Sequence, residues 1–146
     1  PAGDRCIPPV DLRFSGSGRS VFGAERIHEI QQKHIEKHPH HIPMLFMADI
    51  INGYRTIFPI PLAQGCTFDP GLAEKCASIA AREAAAAGLH VTFSPMADLV
   101  RDARWGRVME STGEDTYLNG LMAAAMVRGY PGENHDFSKK GALAAC

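Results

Sequence analysis

Three helical stretches alternate with short apolar runs along this chain, and no hairpin turn joins one run to the next. Strands that cannot be joined by tight turns must be reached by crossovers, and helical crossovers build a parallel sheet. The alternation therefore predicts an α/β fold with parallel strands. Residues 24–38 form the first expected helix, with Ile27, Ile30 and Ile35 near helical spacing and Pro39 as the stop. Pro43 then opens the run MLFMADI, whose continuous apolar character suits a strand buried on both faces. The clearest helix follows over 68–89, with Asp69 as N-cap, Pro70 in the first turn and Gly88 at the C-terminal end. HVTFSPMADLV reads as a second buried strand up to Pro95. A third helix spans 116–130, preceded by Glu114 and Asp115, which suit capping and the helix dipole. GALAAC opens a further strand at the end, and residues 20–22 supply another short one near the front. The first twenty residues, rich in Pro, Gly and Ser, read as a loop or linker.

Composition narrows the partners. The 146 residues carry 15 Lys and Arg against 16 Asp and Glu, a net charge of −1 with no basic cluster. Nucleic acid is thus excluded as the default partner. No run approaches the roughly 18 apolar residues of a membrane span. The N-terminal residues lack both a basic region and an apolar region, so they are not an intact secretory signal. Cys6, Cys66, Cys76 and Cys146 form no C-x-x-C pair, which argues against a cysteine metal or redox site. They favour a reducing compartment such as the cytoplasm, with periplasm or secretion open if a leader is removed. Cys76, in an Ala-rich run, reads as a small buried hydrophobe.

The polar residues of interest follow expected strands, where α/β sheets and barrels place their ligand sites. Asp49 closes the first run and a turn glycine, Gly53, follows. Its carboxylate can grip two adjacent hydroxyls of a sugar, or cap the turn through an Asx-type hydrogen bond. The segment RDARWGR concentrates three arginines, Asp102 and the only tryptophan in residues 101–107. Arginine forks and an indole face suit a sugar ring, while a surface ion-pair network with Asp102 and Glu110 is the competing reading. Glu110 follows Arg107 closely enough to orient its guanidinium. His28, His34, His38, His40 and His41 crowd one region. His34 and His38 could chelate a metal, but their Lys, Glu and Gln surroundings favour a solvated face and no metal site. There is no G-x-S-x-G nucleophile elbow and no phosphate-cradling G-x-x-x-x-G-K-[ST] loop. A rival phosphate-sugar enzyme would have to bind anions at helix N-termini, such as the one near Asp115.

The segments IPMLFMADIINGYRTIFPIPLA, AREAAAAGLHVTFSPMADLVRDARWGRVMESTGEDTYL, RGYPGE and ALAAC, in this order, resemble the N-terminal domain of glycoside hydrolase family 3 in its β-glucosidase-like branch. The N-acetylhexosaminidase branch typically has a D-Q-E-G-G turn where this chain has DIING. The resemblance implies that residues 21–146 are the first part, about half, of a TIM-type (β/α)8 barrel. It implies a retaining β-glucosidase without a cofactor. Asp49 and Arg107 would hold the terminal sugar in the −1 subsite, with Glu110 in support and Asp98 on the site wall. Retaining hydrolysis needs two carboxyl groups about 5–5.5 Å apart. Neither has a matching position here, so no catalytic residue is expected in this chain and the isolated fragment is expected to be inactive. Asn52 stands where the family usually has His, and Ala103 where it usually has Pro. A half barrel leaves strand edges and apolar faces uncovered, so a missing C-terminal half or domain, or a second copy, is the expected protein partner. A β-glucoside or oligosaccharide is the expected ligand. The alternatives are a non-catalytic carbohydrate-binding module and an enzyme of the hexosaminidase branch or the β-xylosidases.

Overall fold

The computed structural model describes residues 17–19, 23–131 and 144–145. Four strands form one sheet: β1 (Ser17–Arg19), β2 (Leu45–Ala48), β3 (Val91–Thr92) and β4 (Ala144–Ala145). They lie in the order β1-β2-β3-β4, and each neighbouring pair is parallel. Ser17 is opposite Leu45, Met47 opposite Val91, and Thr92 opposite Ala145. Helix α1 (Ala24–Lys37) lies between β1 and β2 in sequence, a short α2 (Pro61–Gly65) and α3 (Pro70–Ala86) between β2 and β3, and α4 (Thr116–Gly129) between β3 and β4. The parallel α/β architecture expected from the alternation is therefore present.

The helix ends follow from local chemistry. Asp69 sits in an extended conformation and its Oδ1 accepts the Leu72 N–H at 3.2 Å, with Pro70 beside it at the start of α3. Gly88 takes φ +91°, and the chain then leaves the helix with Leu89 donating back to the Ala84 carbonyl at 3.1 Å. Asp115 caps α4 by accepting the Leu118 N–H at 2.7 Å.

The core lies between the sheet and the pair α3–α4. Phe46, Ala48 and Ile50 meet Ala73, Ala77, Ala80, Ala81 and Ala84 of α3 and Met122 and Met126 of α4. Each large apolar side chain buried there contributes roughly 1.5–3 kcal/mol. The alanine face keeps α3 slim, so α4 approaches it closely. A Cβ on Gly129 would stand 2.4 Å from the Glu74 carbonyl oxygen.

Five expectations change. β2 is not buried on both faces: Phe46 and Ala48 are buried, but Leu45 is 48% exposed and Met47 only half-buried. Helices cover one face of the strand, and its other face is open. The strand expected over 90–95 shortens to Val91–Thr92, and the Phe93 N–H still donates to the Ala48 carbonyl at 3.3 Å. Part of the expected N-terminal loop is β1, whose Ser, Gly and Arg join the sheet through backbone pairing that side-chain patterning does not encode. The strand expected at residues 20–22 lies outside the described residues. His34 is buried rather than solvated, because it shares a face of α1 with Ile27, seven residues earlier. Cys76 is half-buried, and that burial pushes its thiol pKa up.

Candidate functional site

Asp49 and Asp98 lie beyond the C-terminal ends of β2 and β3, and Arg107 lies further along the segment that follows β3. The structure brings Asp49 and Asp98 each within electrostatic reach of the Arg107 guanidinium. Its pKa is raised above the ordinary arginine value, first by its hydrogen bond to Glu110 and then by that carboxylate's charge. Desolvation works against this, and the charges of Asp98 and then Asp49 add smaller favourable contributions.

A single turn of 3-10 helix, Val108–Glu110, makes the Arg107–Glu110 contact. It returns Glu110 beneath Arg107, so that Nε and Nη2 donate to Oε2 at 3.0 and 2.6 Å. The same Nη2 also lies 3.6 Å from the Met96 sulfur. Glu110 thus orients Arg107, as its position in the sequence suggested. Arg107 remains half-exposed and can present donors to a ligand. The other pair in this segment is separate: Asp102 accepts from the Arg104 Nη2 at 2.5 Å, Nε at 2.9 Å and backbone N–H at 2.9 Å. These bonds hold the Asp102 carboxyl below its usual range. Both pairs of the ion-pair reading are therefore present, Asp102 with Arg104 and Glu110 with Arg107, and Arg107 in addition feels the charges of Asp98 and Asp49. Trp105 is at the surface.

The loop bearing Arg107 is pinned from below. Asn119 of α4 donates to the Ala97 carbonyl at 2.9 Å, and its Oδ1 accepts the Thr112 hydroxyl at 2.5 Å. The Ser111 hydroxyl donates to the Asp98 carbonyl, and Val100 N–H to the Gly113 carbonyl at 3.1 Å. Gly65 of α2 lets the Thr112 carbonyl approach so closely that a Cβ there would stand 2.0 Å from its oxygen. The loop after Asp49 is pinned as well. Glu83 of α3 accepts the Arg55 and Thr56 N–H groups at 2.8 Å each and the Thr56 hydroxyl at 2.6 Å. These bonds lower the Glu83 pKa, chiefly through Thr56. Asn52 closes the same loop on Phe58, donating to its carbonyl at 3.2 Å and accepting its N–H at 2.8 Å. Here the carboxamide has a structural partner.

Ser94, Glu83, Ser111, Asn119 and Tyr130 were not singled out by sequence reasoning. A buried polar residue on a helix offers no pattern that names its partner, which is decided by the crossing of elements remote in sequence. Among the described residues, no group of three or more His, Cys, Asp or Glu is arranged to hold a metal ion. The His34 and His38 rings lie 5.1 Å apart with His40 beyond them. No helix among the described residues is long and apolar enough to cross a membrane. The N-terminus of α4, the anion site a phosphate enzyme would use, is capped by the chain's own Asp115 carboxylate.

Residues 12–141 match the family described as the glycosyl hydrolase family 3 N-terminal domain. A periplasmic β-glucosidase of Salmonella typhimurium is 42% identical over 64% of this chain, and a putative β-xylosidase of Formosa agariphila is 38% identical over 80%. The chain spans only 12% and 16% of the length of these two curated relatives. A mutant β-glucosidase from Listeria innocua in complex with laminaribiose superimposes with a TM-score of 0.86 at 50% identity. That match covers 90% of this chain and 18% of the Listeria chain. The complex of the Listeria enzyme with isofagomine gives 0.89 at 46% identity, over 100% of this chain and 21% of that one.

Proposed function

The chain belongs to glycosyl hydrolase family 3, in its N-terminal domain, and on that premise we propose that it forms the sugar-gripping wall of a retaining β-glucosidase. The observation that supports this reading is that the Glu110-braced Arg107 lies where the charges of Asp98 and Asp49, both just beyond the C-terminal ends of parallel strands, still act on it. Asp49 offers two carboxylate oxygens to a pair of neighbouring sugar hydroxyls in the −1 subsite. Arg107 donates from the other side, and Glu110 supports it by fixing the plane of its guanidinium. The substrate is a β-glucoside or a short oligosaccharide; the Listeria relative is seen with laminaribiose.

The half barrel expected over residues 21–146 is, in this reading, the first half of a (β/α)8 barrel that begins earlier, at β1 (Ser17–Arg19). The sequential order β1-β2-β3-β4 supports it, because a doubly wound sheet reverses direction at a switch point and a barrel does not. The open face of β2, with Leu45 exposed, fits a barrel interior that the remaining strands would fill. Another part of the same protein, or a second copy, would cover it. The nucleophile attacking the anomeric carbon and the acid protonating the leaving oxygen come from outside this chain.

Cleavage of an aryl β-glucoside by the complete protein that carries this chain, and no cleavage by residues 1–146 alone, is the expected result. Activity in the isolated chain would overturn the placement of the catalytic carboxyls. Calorimetric titration with glucose tests the grip directly: Asp49→Ala should lose binding, and equal binding would remove Asp49 from the site. The β-xylosidase relatives favour a second reading, in which the sugar is a xyloside. Comparing kcat/KM for the aryl β-glucoside and β-xyloside decides between them.

A further inference from the structure

Tyr130 lies just past the end of α4, is 2% exposed, and its hydroxyl reaches two segments distant in sequence. The phenol oxygen is 3.2 Å from the Ile50 carbonyl, 80 residues away, and 2.7 Å from the Ser94 hydroxyl, 36 residues away. A carbonyl can only accept, so the single phenolic proton goes to Ile50 and the Ser94 hydroxyl donates to the phenol oxygen. Ile50 adjoins Asp49. Ser94 follows β3 and begins the segment that leads to Asp98 and Arg107, and both Ser94 and Ile50 are buried. One side chain at the C-terminal cap of α4 thus holds the Ile50 backbone beside Asp49 and the Ser94 side chain at the start of the segment leading to Arg107.

We propose that Tyr130 is a positioning residue for sugar binding, tying the strand end that carries Asp49 to the segment that carries Arg107. The inference rests on the reading that Asp49 and Arg107 hold the sugar. The ring itself fills core space among Ile50, Ala73, Ala77 and Met126. Tyr130→Phe keeps that packing and removes only the two-way hydrogen bond. A hydroxyl with a packing role alone would leave the relative placement of Asp49 and Arg107 unchanged.

The test uses the complete protein that carries this chain, with glucose as the binding probe and an aryl β-glucoside for kinetics. Tyr130→Phe should raise the glucose Kd and the KM about 10-fold, the scale of one buried hydrogen bond, with kcat changed by less than about 3-fold. Combined with Asp49→Asn, it should add less than about 2-fold to the effect of Asp49→Asn alone, because both act on the same contact. Ser94→Ala, which removes the donor to the phenol, should weaken binding in the same direction and serves if Tyr130→Phe does not fold. A full, undiminished effect of Tyr130→Phe in the Asp49→Asn background would mean general loosening and overturn the proposal. Unchanged affinity in Tyr130→Phe beside weakened Asp49→Asn would remove the role of Tyr130 alone. Unchanged affinity in Asp49→Asn would instead refute the sugar grip itself, and this role with it.

Discussion

Adding one methyl group at two glycines of α4 should move stability in opposite directions. Gly129 is buried where α4 crosses α3, and a Cβ there would lie 2.4 Å from the Glu74 carbonyl oxygen and 2.9 Å from the Ala77 Cβ. Both neighbours belong to one helix and one is backbone, so no side chain can swing aside. The helices must part by about 1 Å to restore ordinary contact distances. Overpacking of that kind costs roughly 1–3 kcal/mol. Gly129 is the last residue of the helix, so little of the usual propensity gain offsets it. Gly120 lies on the exposed side of the same helix, and a Cβ there meets nothing within 4 Å. Gly120→Ala should therefore stabilise by about 0.5–1 kcal/mol through backbone entropy. The two variants should differ by roughly 2–4 kcal/mol in equilibrium urea unfolding followed by far-ultraviolet circular dichroism, with equal m-values. Equal midpoints for Gly129→Ala and Gly120→Ala would refute the close α3–α4 crossing.

Three further outcomes are expected. Asp115→Ala removes the carboxylate that accepts the Leu118 N–H and should cost about 1 kcal/mol in the same unfolding assay, while Asp115→Asn should cost less. His90 accepts the Phe46 N–H on Nδ1 at 3.1 Å, and burial of part of its ring lowers its pKa below 6.5. The folded state thus favours neutral His90. Its contribution is present above the unfolded value of about 6.5 and is lost as pH falls below it toward the lower folded value, so the wild type should lose stability on acidification below about pH 6.5 more steeply than His90→Asn. Glu83→Gln should speed hydrogen exchange at the Arg55 and Thr56 amides by about 10-fold, because a neutral amide oxygen replaces the carboxylate that accepts both. Unchanged exchange would show that the loop is held by Asn52 and Phe58 instead.

Much of the architecture was legible in the sequence because it is set by local chemistry. The ends of α3 and α4 follow from Asp69, Pro70, Gly88 and Asp115, whose effects reach only a few residues along the chain. The parallel sheet follows from the absence of tight turns between apolar runs. The close succession of Arg107 and Glu110 made their pairing readable too, since one turn of backbone brings them together. Other features could not be read this way. β1 has no apolar signature, and α2 and the 3-10 turn are too short for periodicity to register. His34 was misread because the polar neighbours along α1 said nothing about which face the rest of the fold covers.

The sequence by itself determined where the three long helices lie, how α3 and α4 are capped, that the strands run parallel, and the family to which the chain belongs. Only the tertiary structure decided that Asp49, Asp98 and Arg107 share one field, that Glu83 and Asn119 pin the two loops, and that Tyr130 joins them. The physical reason is range. Capping and periodicity act within one or two turns, whereas hydrogen bonds spanning 22 to 80 residues depend on where packed elements cross, which no local pattern records.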